Sequence, residues 1–204
     1  MEAEAPLIAH LDGVALRDLT GVINNSHEVL GQGGFGRVAA VDIAGCQPLC
    51  VKTILDEDLM EDTLQEAQHM FALRDVSGIP RILGISESPL ALLMTRHGRY
   101  TLKDVALGRA EGLEVSTVQV FQGLALLMDI LQDIHSHGLV HNDIKPDNVT
   151  IELDEDGQVK VTLLDLGCMS AVGEKPYEDE DNETASNTDF MLQSGYMQRD
   201  IERQ

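Results

Sequence analysis

Several groups of residues in this chain have the types and spacing that chemistry requires, and the first is a glycine cluster. The run Leu30-Gly31-Gln32-Gly33-Gly34-Phe35-Gly36-Arg37-Val38 contains G-x-G-x-x-G, a spacing that lets backbone amides approach phosphate oxygens without side-chain collisions. A dinucleotide-binding fold would start a helix right after the third glycine, whereas Arg37 to Val41 reads as a strand, so that fold is excluded. Taken alone, the run could equally be a glycine-rich hairpin without a ligand. Lys52 follows in an apolar stretch, then His141-Asn142-Asp143-Ile144-Lys145-Pro146-Asp147-Asn148, then Asp165-Leu166-Gly167. Singly, these would be a snorkelling surface lysine and turn-forming acids. Two other metal readings fail. The turn Asp154-Glu155-Asp156-Gly157 begins like a calcium loop, but its twelfth position is Leu163, where a bidentate Glu is needed. His135 and His137 are two apart on a helix and face different directions, which argues against a zinc site with His141.

The elements that must position these residues follow from apolar periodicity. Val29-Leu30 and Arg37 to Val41 are two short strands around the glycine turn, and Pro48 to Ile54 is a third, with Lys52 inside it. Acidic residues 56 to 62 lead into a helix whose Leu64, Ala67 and Phe71 share a face that packs on the strands. Ile82 to Ile85 and Leu90 to Met94 are strands bracketing a turn at Ser88-Pro89, completing a small, strand-rich first lobe. A helix from about Val118 to His137 opens the second lobe, capped by Ser116 or Thr117 and ended by Gly138. Leu124, Leu126, Leu127, Met128, Ile130, Leu131 and Ile134 spread around its circumference, a pattern that calls for burial on several sides. Residues 149 to 152 and 159 to 163 form a hairpin, and the chain turns polar beyond Gly167. The first 23 residues give mixed signals and carry no assigned role, and the acidic run at 178 to 181 reads as a solvated loop.

Composition bounds the function class. At 204 residues and 43% apolar content the chain can bury a sizeable core, built from aliphatic residues because Trp is absent. A net charge of -21 repels nucleic acid and anionic lipid, so neither is an expected partner, and phosphate ligands need a local, shaped site. Three cysteines, Cys46, Cys50 and Cys168, lack scaffold-like spacing and read as thiols of a reducing compartment. The start Met1-Glu2-Ala3-Glu4 has no signal-peptide pattern, and no run reaches membrane-spanning length. The expectation is an intracellular, cytoplasmic protein.

The glycine run, Val51-Lys52, the H-x-D-x-K-x-x-N segment and Asp165-Leu166-Gly167, in this order, resemble the signature set of the eukaryotic-type protein kinases. The resemblance implies an α+β, two-lobed protein-kinase-like fold, with a strand-rich lobe carrying one helix and an incomplete helical lobe. Its limits would be residues 24 to 197, divided at 97/98, with a 1 to 23 extension and a 198 to 204 tail. It implies ATP and Mg2+ as cofactors and a protein Ser/Thr hydroxyl as acceptor. Lys52 would grip the α- and β-phosphates, held by Glu66 or, failing that, Glu61. Asp143 would accept the hydroxyl proton, Lys145 would steady the transferring phosphate, and Asn148 and Asp165 would hold the metal. Lys145 favours Ser/Thr over Tyr, where Ala or Arg is common nearby. For ATP, the resemblance assigns Leu30, Gly31, Gly33, Gly34, Phe35, Gly36, Val38, Cys50, Met94, Arg96 and His97, with Cys50 standing where the family usually has Ala.

Two departures qualify what the resemblance implies. Asn142 stands where many kinases have an Arg that answers an activation-segment phosphate, which argues against control by such a phosphate. Ser194-Gly195-Tyr196-Met197 resembles the approach to A-P-E, yet Gln198-Arg199-Asp200 replaces that motif. The expectation is a kinase domain truncated after the activation segment, its long helix partly exposed or covered by a partner chain. The alternative is a kinase-like nucleotide-binding or interaction protein with little or no turnover.

Overall fold

The computed structural model describes residues 28–174 apart from 34–35, 43–45 and 88, together with 15–16, 21 and 23. The first lobe is a six-stranded sheet: β1 (Ala15–Leu16), β2 (Val29–Gly33), β3 (Gly36–Val41), β4 (Leu49–Thr53), β5 (Ile82–Glu87) and β6 (Leu90–Thr95), in the order β1-β5-β6-β4-β3-β2. β1 pairs parallel to β5 and the other pairings are antiparallel. Residues 15 and 16, in the stretch whose pattern carried no role, thus add a strand to the sheet edge. The turn expected at Ser88-Pro89 lies between β5 and β6, with residue 88 outside the described residues.

Because side chains alternate along a strand, β4 sorts its residues onto two faces. Cys50 pairs with Ala40 and Met94, and Lys52 with Val38 and Leu92. Cys50, Leu92 and Met94 belong to the larger core, which continues through α1 (Met60–Ala72) into the second lobe. On the opposite face Leu49 and Val51 pack with Ala39, Val41, Ala91 and Leu93 in a second cluster, against which Ile23 packs. Both faces of β4 are therefore buried, which explains its nearly continuous apolar run. The buried side of α1 is Thr63, Glu66, Ala67 and Met70, with the expected Leu64 and Phe71 only partly buried at its flanks. The helix is turned because Glu66 reaches inward to a charge on β4.

The second lobe has two α-helices among the described residues where the sequence indicated one. β7 (Tyr100–Thr101) leads into α2 (Leu102–Ala106), whose Thr101 and Asp104 form a reciprocal capping box. α3 (Thr117–Ser136) is capped by Ser116, again in a capping box, with Gln119. It ends before Gly138, which takes φ 74°. β8 (Leu139–Val140), β9 (Val149–Leu153), β10 (Val159–Leu163) and β11 (Ser170–Ala171) follow. β9 and β10 form the expected hairpin, and β7 adds to its edge. A Cβ on Gly123 would lie 3.2 Å from Val161 and 3.3 Å from Ile151, so this glycine lets α3 lie close on the hairpin. Only Gly123, Leu127, Ile130 and Ile134 of α3 are buried; Val118, Phe121 and Met128 are about two-thirds exposed.

Candidate active site

The glycine turn joins β2 to β3 at the edge of the cleft. At Gly36 the backbone takes φ +124°, and a Cβ would sit 2.4 Å from the Thr53 carbonyl oxygen, so no other residue fits without displacing β4. Among the described residues nothing lies within 4 Å of where a Cβ on Gly31 or Gly33 would be, so packing against them does not require glycine there. Gly34 and Phe35, assigned to the same turn, lie outside the described residues.

Lys52 projects from β4 with 8% of its surface exposed, and donates to Glu66 Oε2 at 2.7 Å. Its ammonium is also 3.6 Å from Asp165 Oδ1. Glu66 is thus the partner of Lys52, and the fallback Glu61 is exposed at the start of the helix. Burial alone would lower the Lys52 pKa; the carboxylates of Glu66 and Asp165 outweigh it and hold the ammonium above its ordinary range. For Glu66, burial pushes the carboxyl up and Lys52 offsets only part of that. Two carboxylates, Glu66 and Asp165, thus face one ammonium.

The loop between β8 and β9 builds the floor. His141 is almost completely buried. Its Nε2 lies 3.0 Å from the Leu164 carbonyl oxygen, and its Nδ1 lies 3.3 Å from the Asp143 amide. An N–H donor at one nitrogen and a carbonyl acceptor at the other define the neutral Nε2–H tautomer, and burial lowers the ring pKa in the same sense. Asp143 Oδ2 accepts from Lys145 Nζ at 2.5 Å and from Asn148 Nδ2 at 2.8 Å. A further Asn148 Nδ2 bond to the Asp143 carbonyl, 2.9 Å, closes the loop on itself. The pKa of Lys145 is raised by its bond to Asp143. Lys103 on α2 holds the neighbouring Asp147 at 2.7 Å, which ties the loop to that short helix.

Asp165 adopts a left-handed conformation, φ 60° and ψ 79°, which Asp tolerates better than most residues. It sits just ahead of the turn Leu166–Cys168, whose Leu166 is buried in the larger core. The lobe connection is fixed by Thr95, whose Oγ1 accepts from the Arg81 amide at 2.8 Å and contacts His97 Nε2 at 2.8 Å. Gly98 N–H donates to Glu152 Oε2 at 3.2 Å, and Arg96 pairs with Glu28 at 3.3 Å.

These parts enclose one cavity of about 590 Å³. Leu30, Val38 and Cys50 line it from the strand lobe, Met94, Arg96 and His97 from the connection, and Lys52, Glu66, Asp143, Lys145, Asn148 and Asp165 from the polar end. Every described residue that the sequence assigned to the site lines this cavity. Pro80, Thr150 and Leu164 join the wall unannounced; of these only Leu164, next to Asp165, had a neighbouring signal. Burial pushes the Cys50 thiol up to about 11, an effect that Arg96 only partly counters. No three His, Cys, Asp or Glu side chains among the described residues converge as a closed metal cage. Asp165 and Asn148 bring one carboxylate and one side-chain amide to the polar end of this cavity, hard oxygen donors of the kind a divalent cation would take.

The family described as the protein kinase domain matches residues 24–198. This chain belongs to that family. Among kinase relatives, it is 32% identical to Tyrosine-protein kinase Dnt of Drosophila melanogaster over 67% of this chain and 24% of the relative. It is also 32% identical to CBL-interacting protein kinase 28 of Oryza sativa subsp. japonica, over 78% of this chain and 36% of the relative. Calcium-dependent protein kinase SK5 of Glycine max is 27% identical over 71% and 30%. The kinase chain thus spans about a quarter to a third of the length of these relatives. No helix among the described residues is long and apolar enough to cross a membrane.

Proposed function

We propose that this chain is the ATP-binding and catalytic part of a protein Ser/Thr kinase. The observation that carries the reading is the meeting of Lys52, Glu66, Asp143, Lys145, Asn148 and Asp165 at the polar end of one cavity. Bound Mg-ATP would supply the phosphoryl group, with the metal neutralising charge on the phosphates. The donor set fits that group: hard oxygens at Asp165 and Asn148, and a paired ammonium at Lys52. In this reading Lys52, held by Glu66, fixes the α- and β-phosphates. Asp143 takes the proton of the acceptor hydroxyl. Lys145, paired with Asp143, would balance the charge of the transferring group. The neutral His141 braces the loop from below without competing for that proton.

Lys145 favours Ser or Thr as acceptor, and the calcium-dependent and CBL-interacting relatives are named protein kinases without the tyrosine label that Dnt carries. The second reading, a nucleotide binder with little turnover, is supported by the exposed apolar side of α3. The test is thermal unfolding of the chain with and without Mg-ATP, alongside phosphate transfer to generic Ser/Thr and Tyr substrates. A ligand at 100 times its dissociation constant should add about 2.7 kcal/mol of stability. Transfer to Ser or Thr that vanishes in Asp143→Asn supports the kinase reading. Stabilisation without transfer supports the binder, transfer to Tyr overturns the acceptor assignment, and no stabilisation overturns both readings.

A further inference from the structure

Asn142 lies between His141 and Asp143, yet its side chain is engaged elsewhere. Its Nδ2 donates to the Cys168 carbonyl oxygen at 3.0 Å and to Ser170 Oγ at 2.9 Å. One amide nitrogen has two hydrogens, so both are spent on the segment that follows Asp165. Its backbone is left-handed, φ 63°, and among the described residues Asp165 at φ 60° is the other non-glycine residue with positive φ. Asn is among the side chains that tolerate this conformation best. Nearby, β8 and β11 pair for only two residues, Val140 with Ser170 and Leu139 with Ala171, with a Val172 amide to Gly138 carbonyl bond at 2.9 Å beyond them. The Asn142 amide extends this short ladder toward Asp165, to which Cys168 is joined through the turn Leu166–Cys168.

We propose that Asn142 is a positioning residue, whose side-chain amide clamps the start of the segment after Asp165 and so sets the metal-holding carboxylate without any added phosphate. The proposal rests on the functional reading above. The clamp is an amide, a carbonyl and a hydroxyl, none of them charged. It requires no anion on the segment and should be insensitive to salt, unlike an Arg–phosphate tie. Its effect must appear where Asp165 acts, in the metal-dependent part of nucleotide binding, and not in contacts made by the strand lobe.

The experiment is ADP binding by calorimetry, with Mg2+ and with EDTA, on the wild-type chain and on Asn142→Gly and Ser170→Ala. Asn142→Gly removes the amide and relaxes the left-handed backbone at once, so strain cannot account for a loss. Asn142→Gly is expected to weaken Mg2+-dependent binding about tenfold, the scale of two neutral hydrogen bonds, and to leave EDTA binding unchanged. Ser170→Ala should lose less, in the same Mg2+-dependent component, and it decides the matter if Asn142→Gly does not fold. Phosphatase treatment of the wild-type chain should change nothing. An unaltered Mg2+ increment in the variants, or its loss from the wild type after phosphatase, overturns the clamp while nucleotide binding survives. Absence of ADP binding by the wild type under both conditions overturns the clamp and the functional reading together.

Discussion

Lys52 and Glu66 are each less than a tenth exposed and are 2.7 Å apart, so each charge is paired where water cannot help. Removing one member leaves the other stranded. Lys52→Met is expected to cost about 3 kcal/mol in urea unfolding, because the Glu66 carboxylate loses its partner in a buried position. Adding Glu66→Leu should recover part of that loss, and both variants should forfeit Mg-ATP stabilisation. A single variant as stable as the wild type would show that Glu66 already takes up a proton in the folded chain. Glu66 could be named from the sequence through the kinase resemblance and its place in the helix, but not through the apolar repeat. Leu64, Ala67 and Phe71 pointed another side at the strands, and the buried side is Thr63, Glu66, Ala67 and Met70. The Asn142 clamp could not be named at all. The identity of that residue could be read, but its two acceptors lie 26 and 28 positions ahead, and local sequence carries no trace of such a contact.

Among the elements, legibility followed length and periodicity. β3, β4, β6, α3 and the β9–β10 hairpin could be placed to within a residue or two, because each carries an apolar repeat longer than one turn or one pleat. α1 was indicated without bounds, and it starts at Met60, inside the acidic stretch expected to lead into it. α2 has five residues, too few for a helical repeat, and its one readable sign was the capping pair Thr101 and Asp104. β1, β8 and β11 are two-residue strands whose pairing is decided by distant partners. The face of α3 that the hairpin covers could not be chosen from sequence, since apolar residues surround the helix. Truncation separates the two sides. Ile134→Ala, at a fully buried position, should destabilise by about 3 kcal/mol, whereas Phe121→Ala, 67% exposed, should stay within about 0.5 kcal/mol. Chemical unfolding of both variants checks this, and equal losses would mean that Phe121 is covered in solution.

At the scale of the molecule, a chain with a net charge of -21 gathers Lys52 and Lys145 into the one cavity where its site acids also meet. The net charge could be read from composition and excluded broad anion binding, but the local balance needs the fold, which lines this cavity with Lys52, Arg96, Arg99 and Lys145 beside Glu66, Asp143, Asp147 and Asp165. The relative order of the motifs identified the family because the two lobes must present them to one space. The protein kinase match reaches residue 198, beyond the described residues, which supply the strand lobe, the cavity and its floor. Cys50, in the roof of that space, is 6% exposed with its thiol raised to about 11, while Cys46 is on the surface. At pH 8 a disulfide reagent should therefore modify Cys46 promptly and reach Cys50 only through transient opening of the sheet, with mass spectrometry telling the two apart. Equal rates would mean that the sheet opens freely. The slow thiol thus acts as a built-in clock for the breathing of the strand lobe, and a bound nucleotide beneath it should make that clock run slower still.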